Sequence, residues 1–228
     1  MPRRGSRVLY NHIKHLKKQE ILNLARQTCK CGHSYLEHFK CYQEETGNIE
    51  RIGFLDIETS NLSADFGIIF SYAIKELGGK IIGRTVTPNE MRTEMYDKKL
   101  MEEAVAHILG FNRICTYYGS RFDIPFLRAR ALYHGLDFPL YKEVYHTDVY
   151  YMAKNRLCIS RKRLETVCDF LGIPAKAHKL NQVMWLKALG GNPKALDFIW
   201  KHNTEDVISL EQVWKRLDSY CQPTNRSI

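Results

Sequence analysis

The chain has 228 residues, of which 44% are hydrophobic and 26% charged, a balance that suits a soluble protein with one sizeable core. It contains no apolar run long enough to span a bilayer and no apolar stretch after its basic N-terminal residues, so a cytoplasmic protein with no membrane partner is expected. The formal net charge of +9 favours a polyanionic partner. Seven cysteines, three of them between Cys29 and Cys41, read as metal ligands or free thiols before disulfides.

In chain order, residues 1 to 50 differ from the rest. Arg3, Arg4 and Arg7 form a basic start. The spacing of Leu9, Ile13, Leu16, Ile21 and Leu24 predicts a helix over 9–25, with Lys14, Lys17 and Lys18 outside. Cys29, Cys31, His33, His38 and Cys41 follow, and Gly47-Asn48 marks a turn. From Arg51 the pattern is α/β. Strands are predicted over 51–58, 66–75 and 80–86, with Gly78-Gly79 as the hairpin turn. A helix over 97–109, a strand over 113–117, a helix over 122–134 ended by Gly135 and a strand over 144–149 come next. Helices over 163–171, 181–189 and 193–217 complete the chain, punctuated by Gly172, Pro174, Gly190, Gly191 and Pro193. The expected organisation is a basic extension over 1–50 and one α/β domain over 51–228, with a mixed five-stranded sheet covered by helices.

Three acidic stretches carry the chemistry. Asp56 and Glu58 stand two apart at the end of an apolar strand, so both point to one face. Two neighbouring carboxylates repel each other, and a hard divalent cation removes the repulsion. Asp123 opens the helix after the fourth strand, where an acid is also explained by capping alone. Gly119 lets the backbone approach a partner closely, and Tyr118 and Phe122 offer rings for stacking a base or for the core. His202 and Asp206 lie one turn apart on the last helix, on a face shared with Val207 and Leu210. Residues 154–187 hold eight basic residues against two acidic ones, among them Arg161, Lys162, Arg163, Lys176 and Lys179, a set suited to phosphate contacts without sequence readout.

Asp56-Ile57-Glu58-Thr59, then Tyr118-Gly119 followed by Phe122-Asp123 and Pro125-Phe126-Leu127, then His202 followed by Asp206-Val207, occur in the order and spacing of the three DEDD exonuclease motifs. The chain therefore resembles the ribonuclease-H-like 3′–5′ exonucleases, and within them the YprB-type stand-alone domain. Asp148-Val149-Tyr150 and the segment from Ser160 to Gly172 add to the likeness, which covers about residues 51–217. The resemblance implies a ribonuclease-H-like α/β fold and hydrolysis at the 3′ end of DNA or RNA, single-stranded in the first instance. It implies two Mg²⁺ or Mn²⁺ ions on Asp56, Glu58, Asp123 and Asp206. Thr59, Tyr118, Gly119 and Phe122 would then meet the substrate. His202 departs from the family, which has a Tyr four residues before the last Asp or a His five before it. A neutral imidazole at this place can still orient or deprotonate water. The rival readings are a non-catalytic nucleic-acid-binding module on the same fold and a metal-dependent structure-specific endonuclease.

The cysteine–histidine cluster lies outside that resemblance. Five ligands in thirteen residues suit a structural Zn²⁺, with Cys29, His33, His38 and Cys41 as the expected set and Cys31 as substitute. The competing reading is a segment with free thiols.

Overall fold

A computed structural model describes residues 18–47, 50–174, 181–221 and 226–228. Arg3, Arg4, Arg7, the first part of the helix expected over 9–25, Lys176 and Lys179 lie outside the described residues. The contacts divide the chain into two compact units, Met1–Glu50 and Arg51–Ile228.

In the first unit, helix α1 (Lys18–Arg26) is the described part of the expected helix, and α2 (Phe39–Thr46) is an element the sequence pattern did not indicate. Between them an isolated bridge pairs Thr28 with Ser34. Gly32 takes φ +84° inside that loop and Gly47 takes φ +67° after α2, a left-handed backbone that glycine adopts without steric cost.

The second unit is a six-stranded sheet with strands β1 (Ile52–Thr59), β2 (Ile69–Glu76), β3 (Ile81–Thr85), β4 (Arg113–Thr116), β5 (Tyr145–Asp148) and β6 (Arg226–Ser227). Their order is β3-β2-β1-β4-β5-β6. The first three strands form an antiparallel meander, β4 and β5 run parallel to β1, and β6 is antiparallel to β5. The five strands expected from sequence become six because Arg226 and Ser227 pair with His146 and Tyr145. A strand of two residues carries no periodicity to read. The chain leaves β1 toward β2 and later returns to its other side as β4. The crevice at the ends of β1 and β4 is thus a point where strand order reverses, the usual ligand site of open α/β sheets.

Helices α3 (Lys98–Leu109), α4 (Asp123–Tyr133), α5 (Val149–Arg156), α6 (Leu164–Phe170), α7 (Gln182–Leu189) and α8 (Pro193–Leu217) pack around the sheet. The strand expected to reach Val149 stops at Asp148, whose carboxylate accepts from the Tyr150 N–H and caps α5. α8 begins where its sequence says, because Asn192 accepts from the Ala195 N–H and Pro193 occupies the first turn.

Alternation along β1 feeds two cores. Leu55 and Ile57 join Tyr72, Ile74, Leu100, Ala104, Ile108, Ile124 and Leu127. Ile52 and Phe54 join Cys115, Val149, Val167, Leu210, Val213 and Leu217. Phe54 is fully buried and meets Trp214 edge-on at 5.5 Å between ring centroids. A separate polar knot fixes the edge of the larger core. Asp97, fully buried, accepts from Arg130 Nε and Nη2 at 2.9 and 2.6 Å and from the Ile69 N–H at 2.9 Å. Phe54 is the side chain that couples β1 to the C-terminal half of α8. Phe54→Ala is expected to lower stability by about 3–5 kcal/mol in urea denaturation; a loss under about 1 kcal/mol would contradict this packing.

Candidate active site

Beyond Phe54, the same face of β1 changes from apolar to acidic. Asp56 and Glu58 are half-buried at the margin of the smaller core. α8 brings His202 and Asp206 to Glu58. His202 Nε2 lies 3.7 Å from Glu58 Oε1 and 3.4 Å from Asp206 Oδ2. The ligand atoms of Glu58, His202 and Asp206 all fall within 4.8 Å of one another. His202 is only 6% exposed, so it belongs to the acidic cluster and not to a solvated helix surface. Its neighbour Asn203 pins the helix to the sheet. The Asn203 side-chain amide donates to the carbonyl oxygens of Asp56 at 3.3 Å and Ser71 at 3.4 Å.

Asp123 reaches the cluster from the other side. β4 pairs with β1 only as far as Phe54, and farther along the Ile57 N–H donates to Asp123 Oδ1 at 3.2 Å. Asp123 is the first residue of α4, and its carboxylate reaches back to the backbone of β1. Burial pushes its carboxyl well above the usual carboxylate range, and the negative charge of Asp56 pushes it further. Asp56 and Asp123 thus form one repelling pair while Glu58 and Asp206 flank His202. Oxygen donors crowded in this way fit a hard divalent cation, whose charge would offset the repulsion.

The loop between β4 and α4 is built with unusual care. Tyr118 has φ +66°, a left-handed conformation uncommon outside glycine. Asp148 holds it there, since Oδ1 accepts from the Tyr118 N–H at 2.8 Å and Oδ2 accepts from the Ser120 N–H at 3.1 Å and its hydroxyl at 2.6 Å. Gly119 follows, and a Cβ on it would lie 2.3 Å from Thr116 Oγ1. The close approach expected of Gly119 is therefore to its own strand. Thr116 Oγ1 is in turn 2.8 Å from Nε2 of buried His146. Asp148 was visible in the sequence only as part of the family likeness; its position as the cap of a helix that follows a strand without a break is the signal that could have exposed its role.

The remaining expected residues separate. Tyr118 is exposed and meets Tyr150 edge-on at 4.8 Å. Tyr117, Tyr118, Tyr150, Ser160, Arg161, Lys162, Arg163 and Leu164 line a groove of about 690 Å³. Lys162 turns its ammonium to the Ile159 carbonyl, while Arg161 and Arg163 are exposed. Phe122 instead packs partly buried against the larger core, 5.6 Å from Phe126. The Thr59 hydroxyl is engaged by the Asn61 carbonyl at 2.7 Å, and its own carbonyl accepts from Trp185 Nε1 at 2.9 Å. In the first unit, Cys29, Cys31, His38 and Cys41 come together. Cys31 takes the place sequence reasoning gave to His33, whose ring stacks on His38 at 4.2 Å.

Two outcomes follow from the loop. Asp148→Ala leaves three backbone N–H groups, those of Tyr118, Ser120 and Tyr150, without their acceptor and should destabilise the chain by about 1–3 kcal/mol, with amide exchange of residues 118–120 accelerated ahead of the sheet. Unchanged exchange there would show that Asp148 does not hold the loop. Burial lowers the His146 pKa to about 4. The unfolded chain, with an ordinary value of about 6.5, takes up the proton first. Stability is therefore intact above about pH 6.5 and falls by up to roughly 3 kcal/mol as pH drops toward 4. His146→Gln should flatten that pH profile of unfolding.

No curated protein matches the sequence. Among solved structures, the family B DNA polymerase of the hyperthermophilic archaeon Pyrobaculum calidifontis shares the fold with a TM-score of 0.63 at 16% identity. The match covers 75% of this chain but only 25% of the polymerase. The RNase_H_2 family, described as RNase_H superfamily, matches residues 53–218. That span takes in every acidic residue of the crevice and the strands from β1 to β5 apart from Ile52, and the chain belongs to the RNase_H superfamily.

Proposed function

We propose that the protein is a divalent-metal-dependent 3′–5′ exonuclease acting on single-stranded DNA or RNA ends, of the DEDD type and nearest in kind to YprB-type domains. The observation that carries this reading is the meeting of acids from three separate elements, β1, α4 and α8, at the strand-order reversal of a nuclease-superfamily sheet. The likeness to a DNA polymerase structure supports a nucleic-acid substrate through the fold alone.

In this reading Asp56, Glu58, Asp123 and Asp206 hold two Mg²⁺ or Mn²⁺ ions. When bound, such ions lower the pKa of the attacking water and offset charge on the leaving 3′ oxygen. His202 acts at Nε2, the atom between Glu58 and Asp206, where it orients the water or takes its proton. Its place four residues before Asp206 is compatible with this role, because the imidazole already faces both carboxylates. Asn203 keeps α8 in register with β1. Tyr118 and Tyr150 offer ring faces beside the groove for terminal bases, and Arg161 and Arg163 offer charge to the phosphates. Stacking and phosphate contacts are indifferent to sequence.

The test is a ladder assay with 5′-labelled single-stranded DNA and RNA in Mg²⁺ or Mn²⁺. Products should shorten stepwise from the 3′ end. Asp56→Asn and Asp206→Asn should slow the reaction by at least about 100-fold, and His202→Ala by about 10²-fold with a changed pH profile. Cutting of a closed circle would replace the exonuclease with an endonuclease. Binding without cleavage of linear, circular or hybrid substrates would leave a binding module.

A further inference from the structure

We propose that Cys29, Cys31, His38 and Cys41 bind one structural Zn²⁺, and that this ion takes the place of a hydrophobic core in the unit Met1–Glu50. The inference does not depend on the nuclease reading.

The first argument is geometric. Sγ of Cys31 lies 2.8 Å from Sγ of Cys29, 3.0 Å from Nδ1 of His38 and 3.7 Å from Sγ of Cys41. Cys41 Sγ is 3.9 Å from the same imidazole nitrogen. The four ligand atoms lie within 4.8 Å of one another, and all three cysteines are free thiols. A tetrahedral zinc with bonds of about 2.3 Å to sulfur spaces its ligands by about 3.8 Å. The present separations bracket that value, and the two short ones, Cys29–Cys31 and Cys31–His38, open to admit the ion.

The second argument is how the backbone sets the ligands out. The Cys29 N–H donates to the His33 carbonyl and the Gly32 N–H to the Cys29 carbonyl, both at 2.9 Å. With Gly32 left-handed and the Thr28–Ser34 bridge closing the base, Cys29 and Cys31 share a tight loop. His38 and Cys41 come from the start of α2, one turn apart. This arrangement leaves His33 out of the ligand set and stacks it on His38, which holds the ligating ring with Nδ1 toward the thiols.

Among the described residues of the unit Met1–Glu50, only Leu24 and Cys29 are buried apolar side chains. A folded segment of this size needs a staple, and metal binding supplies folding free energy where a core does not. Three sulfurs and one imidazole select zinc over the Mg²⁺ or Mn²⁺ suited to all-oxygen ligands.

The test uses the full chain, purified without chelator and with any affinity tag removed. After dialysis against Mg²⁺ buffer, elemental analysis should find about one zinc per chain. Cys31→Ser and Cys41→Ser should lower this about tenfold, whereas His33→Ala and Asp206→Asn should retain it. Retention in Asp206→Asn separates this site from the acidic cluster, so either reading can fail alone. Substitution of Co²⁺ into the unaltered chain should give thiolate charge-transfer and tetrahedral absorption bands, which decides the matter even where the serine variants fail to fold. Zinc-free folded protein with no such cobalt spectrum would overturn the proposal. So would iron with acid-labile sulfide, a disulfide among Cys29, Cys31 and Cys41, or equal loss of zinc in His33→Ala.

Discussion

Asp56 and Glu58 follow residues that are fully buried on the same strand, so their charges sit at the margin of a medium that solvates charge poorly. Like charges held there repel strongly, and the surrounding protein is arranged around that fact. Each neighbouring element brings another polar group toward the pair. α4 supplies Asp123, which is buried beside Asp56 and holds its proton more tightly as a result. α8 supplies His202 and Asp206, and Asn203 ties that helix to the backbone of β1. A core selected only for stability would place apolar side chains here. A divalent cation of the kind proposed above would offset that cost.

The geometry depends on two periodicities meeting at the right phase. Alternation along β1 sends Phe54 into the smaller core and aims Asp56 and Glu58 along the same face. The helical repeat of α8 places His202, Asn203 and Asp206 above, with Leu210, Val213 and Leu217 below. Phe54 against Trp214 fixes the vertical register between them. The aromatic contact and the Asn203 amide on the Asp56 carbonyl together set which turn of the helix meets the acidic end of β1.

Much of this was legible in the residues. The apolar run into Asp56, the hairpin glycines and the Gly190, Gly191 and Pro193 break before α8 each encode local geometry directly, and they placed their elements within a few residues. The acid set was read from its likeness to three exonuclease motifs, since each acid taken alone had an ordinary structural explanation. What escaped depended on tertiary partners. β6 is too short for any pattern and exists only because β5 offers an edge. α5 has eight mixed residues and no break before it, so its first residue, Val149, was assigned to the preceding strand and the rest to no element. Sequence spacing gave the side of the helix occupied by His202, but not the 3.7 Å approach to Glu58, which rests on helix rotation. Cys31 and His33 are equally good ligands on paper. The left-handed turn at Gly32 is what separates them.

α8 carries His202 and Asp206 together with the apolar seam of the smaller core on one continuous rod of 25 residues. A fluctuation that lifts Asp206 away from Glu58 must therefore also lift Leu210, Val213 and Leu217 from the sheet. Local fraying is closed to this site, and opening it approaches the cost of opening the domain. A ligand that bridges Glu58 and Asp206 joins segments 148 residues apart in sequence. Occupancy of the crevice and survival of the whole fold become two readings of one equilibrium.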